Sequence, residues 1–71
     1  MIPIGYTAVI CRDGPWWIGW IEELSGVNSQ GKTRDELISN LREALREAIN
    51  MNREDARKSA GESFEEVAIQ P

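Results

Sequence analysis

A glycine-bounded turn that leads into one long amphipathic helix, over residues 26–51, constrains this chain more than any other feature. Thr33 is a favourable N-cap residue, and Glu36, three positions later, completes a capping box. Apolar residues then recur at steps of three and four, which places them on one helix face. These residues are Leu37, Ile38, Leu41, Ala44, Leu45, Ala48, Ile49 and Met51. The pattern predicts a helix from Arg34 to about Met51 that covers a sheet formed by the preceding residues.

The segments around this helix predict four strands because they are rich in β-branched and aromatic residues and are bounded by turn residues. The strands are expected at residues 4–11, Trp16–Ile21, residues 27–30 and residues 63–69. An Arg-Asp-Gly-Pro turn joins the first two, and Gly61 is the expected helix terminator after a frayed or restarted stretch. The expected fold is α+β, a single domain over residues 1–71. Its order is β-β-β-α-β, an antiparallel-rich sheet of four strands with one long helix on one face.

The turn before the helix contains the letters of a phosphate-binding motif. Residues 26–33 read Gly-Val-Asn-Ser-Gln-Gly-Lys-Thr, which fits G-x-x-x-x-G-K-[ST] ahead of a helix. In such a site backbone amides surround the phosphates, Lys32 reaches the terminal phosphates and Thr33 holds magnesium. Three features favour a short strand followed by an N-cap instead: a chain too short for several βαβ units, no later strand ending in aspartate, and four residues between the second strand and Gly26.

Charge and composition limit the classes of function. The net charge of −4 and the pI near 4.7 argue against direct nucleic-acid binding and suit a basic protein partner. The sequence has no histidine, which excludes Ser-His-Asp and Cys-His catalytic sites, and the single cysteine, Cys11, fits a small core residue. We therefore expect no catalytic, cofactor or metal site. No signal peptide or membrane span is visible, so the expected location is the cytoplasm.

Three tryptophans in the second strand predict an interaction surface. Alternation along a strand places Trp16 and Trp20 on one face and Trp17 on the other, so both faces of the sheet are apolar. One helix can cover only one of them, and exposed apolar patches usually mark interfaces. We expect Tyr6, Trp16, Trp17 and Trp20 to contribute to a protein interface, in a homodimer or higher oligomer or with another protein. The alternative, a base-stacking platform for single-stranded RNA, lacks a basic groove to follow the backbone.

Two pairs of adjacent carboxylates are candidate catalytic groups. Catalysis by a carboxylate pair, or by a two-metal site, requires side chains that converge in a cleft. Glu65 and Glu66 alternate along the predicted last strand and point to opposite faces, while Glu22 and Glu23 lie in a connection between strands. Both pairs therefore fit solvated positions better than a catalytic site, and the protein is not expected to be an enzyme.

Five segments, taken in order, resemble a known family. They are residues 6–10 (Tyr-Thr-Ala-Val-Ile), the aromatic second strand, residues 23–27 (Glu-Leu-Ser-Gly-Val), residues 29–33 (Ser-Gln-Gly-Lys-Thr) and residues 40–45 (Asn-Leu-Arg-Glu-Ala-Leu). In order and spacing they are similar to the HicB-like antitoxin domain, over residues 4–49. The resemblance implies a partial RNase H-like fold that lacks the nuclease carboxylates. It also implies a partner, HicA, a small basic toxin that cleaves mRNA.

The chain departs from the family pattern at several positions. Glu22 and Ser25 stand where family members commonly carry prolines, and Lys32 stands where they carry an acidic residue. Family members often add a C-terminal DNA-binding domain, and none is visible up to Pro71, so operator binding is not expected. The resulting hypothesis is a non-enzymatic antitoxin-type protein that oligomerises through its sheet and inhibits a HicA-type toxin. The alternatives are a solitary homo-oligomeric interaction module and a P-loop-type nucleotide binder.

Overall fold

The computed structural model describes residues 5–70 and shows three strands followed by one long helix. The elements are β1 (Ala8–Asp13), β2 (Trp16–Ile21), β3 (Asn28–Gly31) and α1 (Arg34–Ala60). β2 lies at the centre of the sheet and pairs antiparallel with β1 on one side and with β3 on the other. The α+β class, the antiparallel sheet and the single long helix are therefore confirmed.

The β1–β2 hairpin closes more tightly than the sequence indicated. Asp13 pairs with Trp16, so Gly14 and Pro15 alone form the turn. Gly14 has φ of +61°, a conformation that glycine adopts without the steric strain other residues meet there. As a result β1 runs on to Asp13, two residues beyond its predicted end. It begins at Ala8, and Ile4, where the prediction started it, lies outside the described residues.

The start of α1 agrees with the prediction from the capping box. Thr33 has an extended backbone, and its Oγ1 accepts a hydrogen bond from the Glu36 amide at 3.1 Å. Asp35 and Glu36 in the first turn place negative charge at the positive end of the helix dipole. Strand β3 ends only three residues before the helix begins, one residue later than predicted. The junction between sheet and helix is thus short and well defined.

α1 continues unbroken past Met51, where a frayed or restarted stretch was predicted, and it stops at the predicted terminator, Gly61. The helix continues without interruption from Met51 to Ala60, because residues 52–60 contain good helix formers and neither glycine nor proline. Gly61 then ends it with φ of +89°, and its amide donates to the Arg57 carbonyl at 3.1 Å. At 27 residues the helix is about 40 Å long. All residues from 51 to 60 are exposed, so this part of the helix projects beyond the sheet.

The predicted fourth strand, residues 63–69, does not form, and the sheet has three strands within residues 5–70. Because α1 continues to Ala60, beyond the sheet, the segment that follows it begins at a distance from the strand edges. Instead Glu66 Oε1 accepts a hydrogen bond from Arg57 Nε at 2.7 Å, which also lowers the pKa of the Glu66 carboxyl. Because both side chains are at least half exposed, this ion pair holds the segment only weakly against the helix.

The core lies where α1 crosses β2 and β3. Ile21, Val27, Leu37 and Leu41 are its buried apolar residues among those described. A further contact comes from the Asn40 side-chain amide, which donates to the Gln30 carbonyl at 2.9 Å. Four buried apolar side chains make a small core, so each contributes a large share of the stability. Within the described residues, no helix combines the length and the apolar character needed to cross a membrane.

Candidate protein-interaction surface

The contacts of Gly19 show which face of the sheet α1 covers. A Cβ placed on Gly19 would lie 3.2 Å from Leu41 Cδ1 and 2.9 Å from Ile10 Cγ2. Gly19 therefore points to the helix, and so do Ile10, its partner on β1, and Ile21, two residues along β2. The residues that alternate with them point to the opposite face, which α1 does not cover.

The hairpin register gathers the uncovered side chains into one cluster. Val9 pairs with Trp20 and Cys11 with Ile18, and each pair points away from α1. Trp16 joins them at the turn end of β2. We call this cluster, made of Val9, Cys11, Trp16, Ile18 and Trp20, the open face. On the far side of β2 it is bordered by Asn28 and Gln30 of β3.

The open face is apolar and accessible. Trp16 is 37% exposed and Trp20 is 45% exposed, Cys11 is exposed, and Val9 and Ile18 are half-buried. Tryptophan is the residue most enriched among side chains that dominate protein–protein binding energy. Side chains of this size and exposure, collected on one surface that no other part of residues 5–70 covers, are typical of a protein interface.

Acidic residues lie at both ends of the open face. Asp13 is at the turn end, opposite Trp16, and Glu22 follows directly after β2. Glu22 also lines an open depression of about 700 Å³, together with Val9 and Trp20 of the open face. No lysine or arginine occupies the uncovered side of the three described strands, because Arg12 points to the helix side. The surface is thus suited to a partner with apolar and basic groups, and it lacks the cations that a nucleic-acid strand requires.

The four residues predicted for the interface are divided between the two faces. Trp16 and Trp20 lie on the open face. Trp17 is half-buried on the helix side, where its ring lies 5.3 Å from the Arg12 guanidinium carbon in a cation–π arrangement. Tyr6 is exposed and lines a groove of about 170 Å³ between the start of β1 and α1, which also contains Leu45. The structure therefore brings two of the four predicted residues together.

The open face also contains a residue that the sequence placed elsewhere. Cys11 was predicted as a small core residue, and that prediction is wrong because the thiol is exposed on the uncovered side of β1. Val9 and Ile18 also belong to the open face, and the register shows that they lie opposite Trp20 and Cys11, respectively. The regular alternation of side chains along β1 and along the facing strand β2 is the sequence signal from which this grouping could have been predicted.

The Glu23 carboxylate, next to the sheet, binds a backbone group of the chain itself. Glu23 Oε1 accepts the Thr7 amide at 2.7 Å, and this backbone hydrogen bond lowers the pKa of the Glu23 carboxyl. The Thr7 carbonyl in turn accepts from the Glu22 amide at 2.9 Å, which extends the pairing of β1 with β2 by one step. Among residues 5–70, no three cysteine, aspartate or glutamate side chains form a group able to hold a metal ion.

The segment that matches the phosphate-binding motif forms a strand and a cap. Asn28 to Gly31 are paired with β2, and the Thr33 hydroxyl accepts the Glu36 amide. Gly31 is buried so closely that an added Cβ would lie 2.7 Å from the Leu37 nitrogen. These residues do not form the open loop in which successive amides surround a phosphate.

We expect Mg-ATP and Mg-GTP at millimolar concentration to leave the melting temperature of the protein unchanged. A ligand that binds only the folded state stabilises it by linkage, so a true nucleotide site would raise the melting temperature. Thermal-shift measurements on the unaltered chain and on Lys32→Ala provide the test. A rise in melting temperature that Lys32→Ala removes would show that the motif binds nucleotide.

Comparison of the chain with known protein families, with curated proteins and with solved structures gives no match.

Proposed function

We propose that this protein is a non-enzymatic, cytoplasmic antitoxin of HicB-like type. It associates with itself through its sheet, and it binds and inhibits a small basic toxin of the HicA type that cleaves mRNA. The observation that carries the proposal is the open face, on which Trp16 and Trp20 remain exposed on the side of the sheet that α1 leaves uncovered. Burying this surface against another protein removes two tryptophans from water.

Charge supports a basic partner. The chain has 12 acidic and 8 basic residues, and Asp13 and Glu22 stand at the two ends of the open face. Complementary charge accelerates association and disfavours partners of the wrong sign, while the apolar centre of a surface contributes most of the affinity. An apolar centre with acidic ends therefore fits a protein whose own surface is basic, as a ribonuclease that binds mRNA must be.

The fold is compatible with inhibition by contact. The element order β-β-β-α agrees with the first four elements implied by the family resemblance. Among the described residues no three cysteine, aspartate or glutamate side chains form a group able to hold a metal ion, and in this proposal the chain contributes a binding surface and no catalytic group. In this proposal the antitoxin acts by occupying the toxin surface that binds RNA.

A second candidate is a solitary homo-oligomeric module whose partner is not a toxin. It rests on the same open face, because a second copy could cover the two tryptophans as well as a toxin could. The two candidates differ in the charge of the molecule that binds. The acidic chain attracts a basic protein more strongly than it attracts a second acidic copy of itself. The ionic-strength dependence of binding separates them, since added salt weakens attraction between opposite charges.

The proposal is tested by isolating the partner and measuring its activity. The tagged full chain is recovered from the native host, and small proteins that copurify in stoichiometric amount are identified by mass spectrometry. We expect a basic protein whose ribonuclease activity on mRNA falls to zero as the full chain is added to equimolar ratio. Recovery of the chain only as a discrete oligomer, or of a partner whose ribonuclease activity the chain leaves unchanged, would contradict the antitoxin assignment.

A further inference from the structure

β1 presents an unpaired strand edge. It is the outer strand of the sheet. The 2.9 Å hydrogen bond from the Glu22 amide to the Thr7 carbonyl shows which backbone groups on this side of the sheet face β2. By the alternation of an antiparallel pair, the backbone groups of Ala8, Ile10 and Arg12 point away from β2. Within residues 5–70 no other strand pairs with this edge. An open edge of this kind accepts an added strand.

The C-terminal segment, residues 63–69, has the composition of a strand but no strand partner. It contains Phe64, Val67 and Ile69, and the structure leaves Val67 69% and Ile69 82% exposed. It lies against the end of α1, where the exposed Arg57–Glu66 ion pair contributes little stability, and Phe64, still 47% exposed, lines an open groove with Ala56 and Ala60. The segment can therefore leave its present position at low cost.

The length of α1 prevents the segment from reaching its own β1. Leu45 shares a groove with Tyr6 and Ala8, so it marks the level at which β1 begins. Ala60 lies fifteen residues later, which carries the chain about 22 Å beyond that level. An extended chain needs about seven residues to return over this distance at about 3.3 Å per residue. Most of residues 61–69 would be needed to bring the chain back to the level of β1, and too few would remain to form a strand along it.

A second copy removes this limit. We propose that residues 63–69 of one copy pair with the β1 edge of a second copy, and that the second copy returns its own segment in the same way. Each sheet then gains the fourth strand that the sequence predicts, bonded to the outward backbone groups of Ala8, Ile10 and Arg12. Reciprocal exchange of identical segments gives a closed twofold dimer. The exchange uses the β1 edge and the C-terminal segment, so it does not depend on the open face or on a toxin.

The proposal is tested with the full chain and two substitutions at one exposed position. Val67→Pro removes the Val67 amide donor, which the proposal directs toward the β1 edge, whereas Val67→Ala keeps that donor. We expect the full chain to be a dimer at micromolar concentration by analytical ultracentrifugation. We expect Val67→Pro to raise the dimer dissociation constant at least about tenfold, since a proline in a strand costs a ladder hydrogen bond. Val67→Ala should have a clearly smaller effect.

Hydrogen exchange shows where the segment lies. In the dimer the amides of Ala8, Ile10 and Arg12 should exchange slowly, and in Val67→Pro they should exchange rapidly while helix content by circular dichroism is unchanged. Dimers that Val67→Pro leaves intact, or a full chain that stays monomeric at every concentration, would overturn the proposal. Slow exchange at these three amides in a dilute monomer would overturn it too, because it would place the segment on its own β1.

Discussion

Gly31→Ala is expected to lower the melting temperature by roughly 10–20 °C. Gly31 is buried at the end of β3, and a Cβ there would lie 2.7 Å from the Leu37 nitrogen and 3.1 Å from the Glu36 carbonyl carbon. Both are backbone atoms in the first turn of α1, so neither can move as a flexible side chain would. Accommodating the methyl group requires the helix to shift away from the strand.

The size of the effect follows from the small core. Overpacking of a tight site costs about 1–3 kcal/mol, and a domain of this length is stabilised by only about 4–11 kcal/mol in total. The crowded nitrogen belongs to Leu37, which has the most completely buried large side chain among the described residues. A shift there therefore disturbs the centre of the core. The measurement is thermal unfolding followed by circular dichroism at 222 nm, with two-state behaviour checked by a second probe.

Gly5→Ala is the matched control for this prediction. A Cβ at Gly5 would meet no atom within 4 Å, and Gly5 does not have a positive φ. We expect Gly5→Ala to melt within a few degrees of the unaltered chain, because an unstrained alanine mainly reduces the freedom of the unfolded state. Equal melting temperatures for Gly31→Ala and Gly5→Ala would show that β3 and α1 are not packed as described.

Trp20→Glu is expected to weaken binding of the partner at least about thirtyfold, since loss of a dominant interface side chain costs about 2 kcal/mol or more. Trp20 is the more exposed of the two tryptophans on the open face, and it pairs with Val9 across the hairpin. The substitution replaces a large apolar ring with a charge that must be desolvated in the complex. It also makes the chain more acidic, so a loss of affinity for a basic partner cannot result from the change in net charge.

Met51→Glu is the control for Trp20→Glu. It exchanges an exposed apolar residue for the same acid, but Met51 lies on α1, which covers the opposite side of the sheet from the open face. Binding should be measured by isothermal titration calorimetry and, for a ribonuclease partner, by the concentration that halves its activity. We expect Met51→Glu to match the unaltered chain in both. A similar loss of affinity in the two variants would place the partner somewhere other than the open face.

The fold could be predicted from the sequence as far as local signals determine it. β2 has the predicted bounds because tryptophan and isoleucine prefer strands and a turn precedes them, and α1 begins at the predicted cap because Thr33 and Glu36 satisfy each other locally. A frayed or restarted stretch was predicted after Met51 because the apolar stripe ends there, whereas the helix continues unbroken to the predicted terminator, Gly61. Amphipathic pattern shows which part of a helix is buried, not where the helix stops.

The candidate surface could be predicted only in part for a similar reason. Alternation correctly separated Trp16 and Trp20 from Trp17, but it could not show which of the two sets faces α1. That choice depends on Gly19, the one position in β2 where the absence of a side chain allows Leu41 to approach the strand. Cys11 was misplaced because a small apolar residue in a strand fits either face equally well.

The reaction rate of Cys11 with a thiol reagent tests most directly whether the open face binds protein. Cys11 is the only cysteine, it is exposed, and it lies on the open face opposite Ile18. A reference variant, Cys11→Ser with Ser39→Cys, places the thiol at an exposed position on α1 instead. The rate of alkylation by iodoacetamide is measured at increasing protein concentration and with added partner.

We predict that alkylation of Cys11 slows as the protein concentration rises or as the partner saturates the chain, while the thiol at position 39 reacts at a constant rate. Protection of Cys11 alone would show that another protein molecule covers the open face. Equal rates for Cys11 with and without saturating partner, and at every protein concentration, would contradict the assignment of this face as the interaction surface.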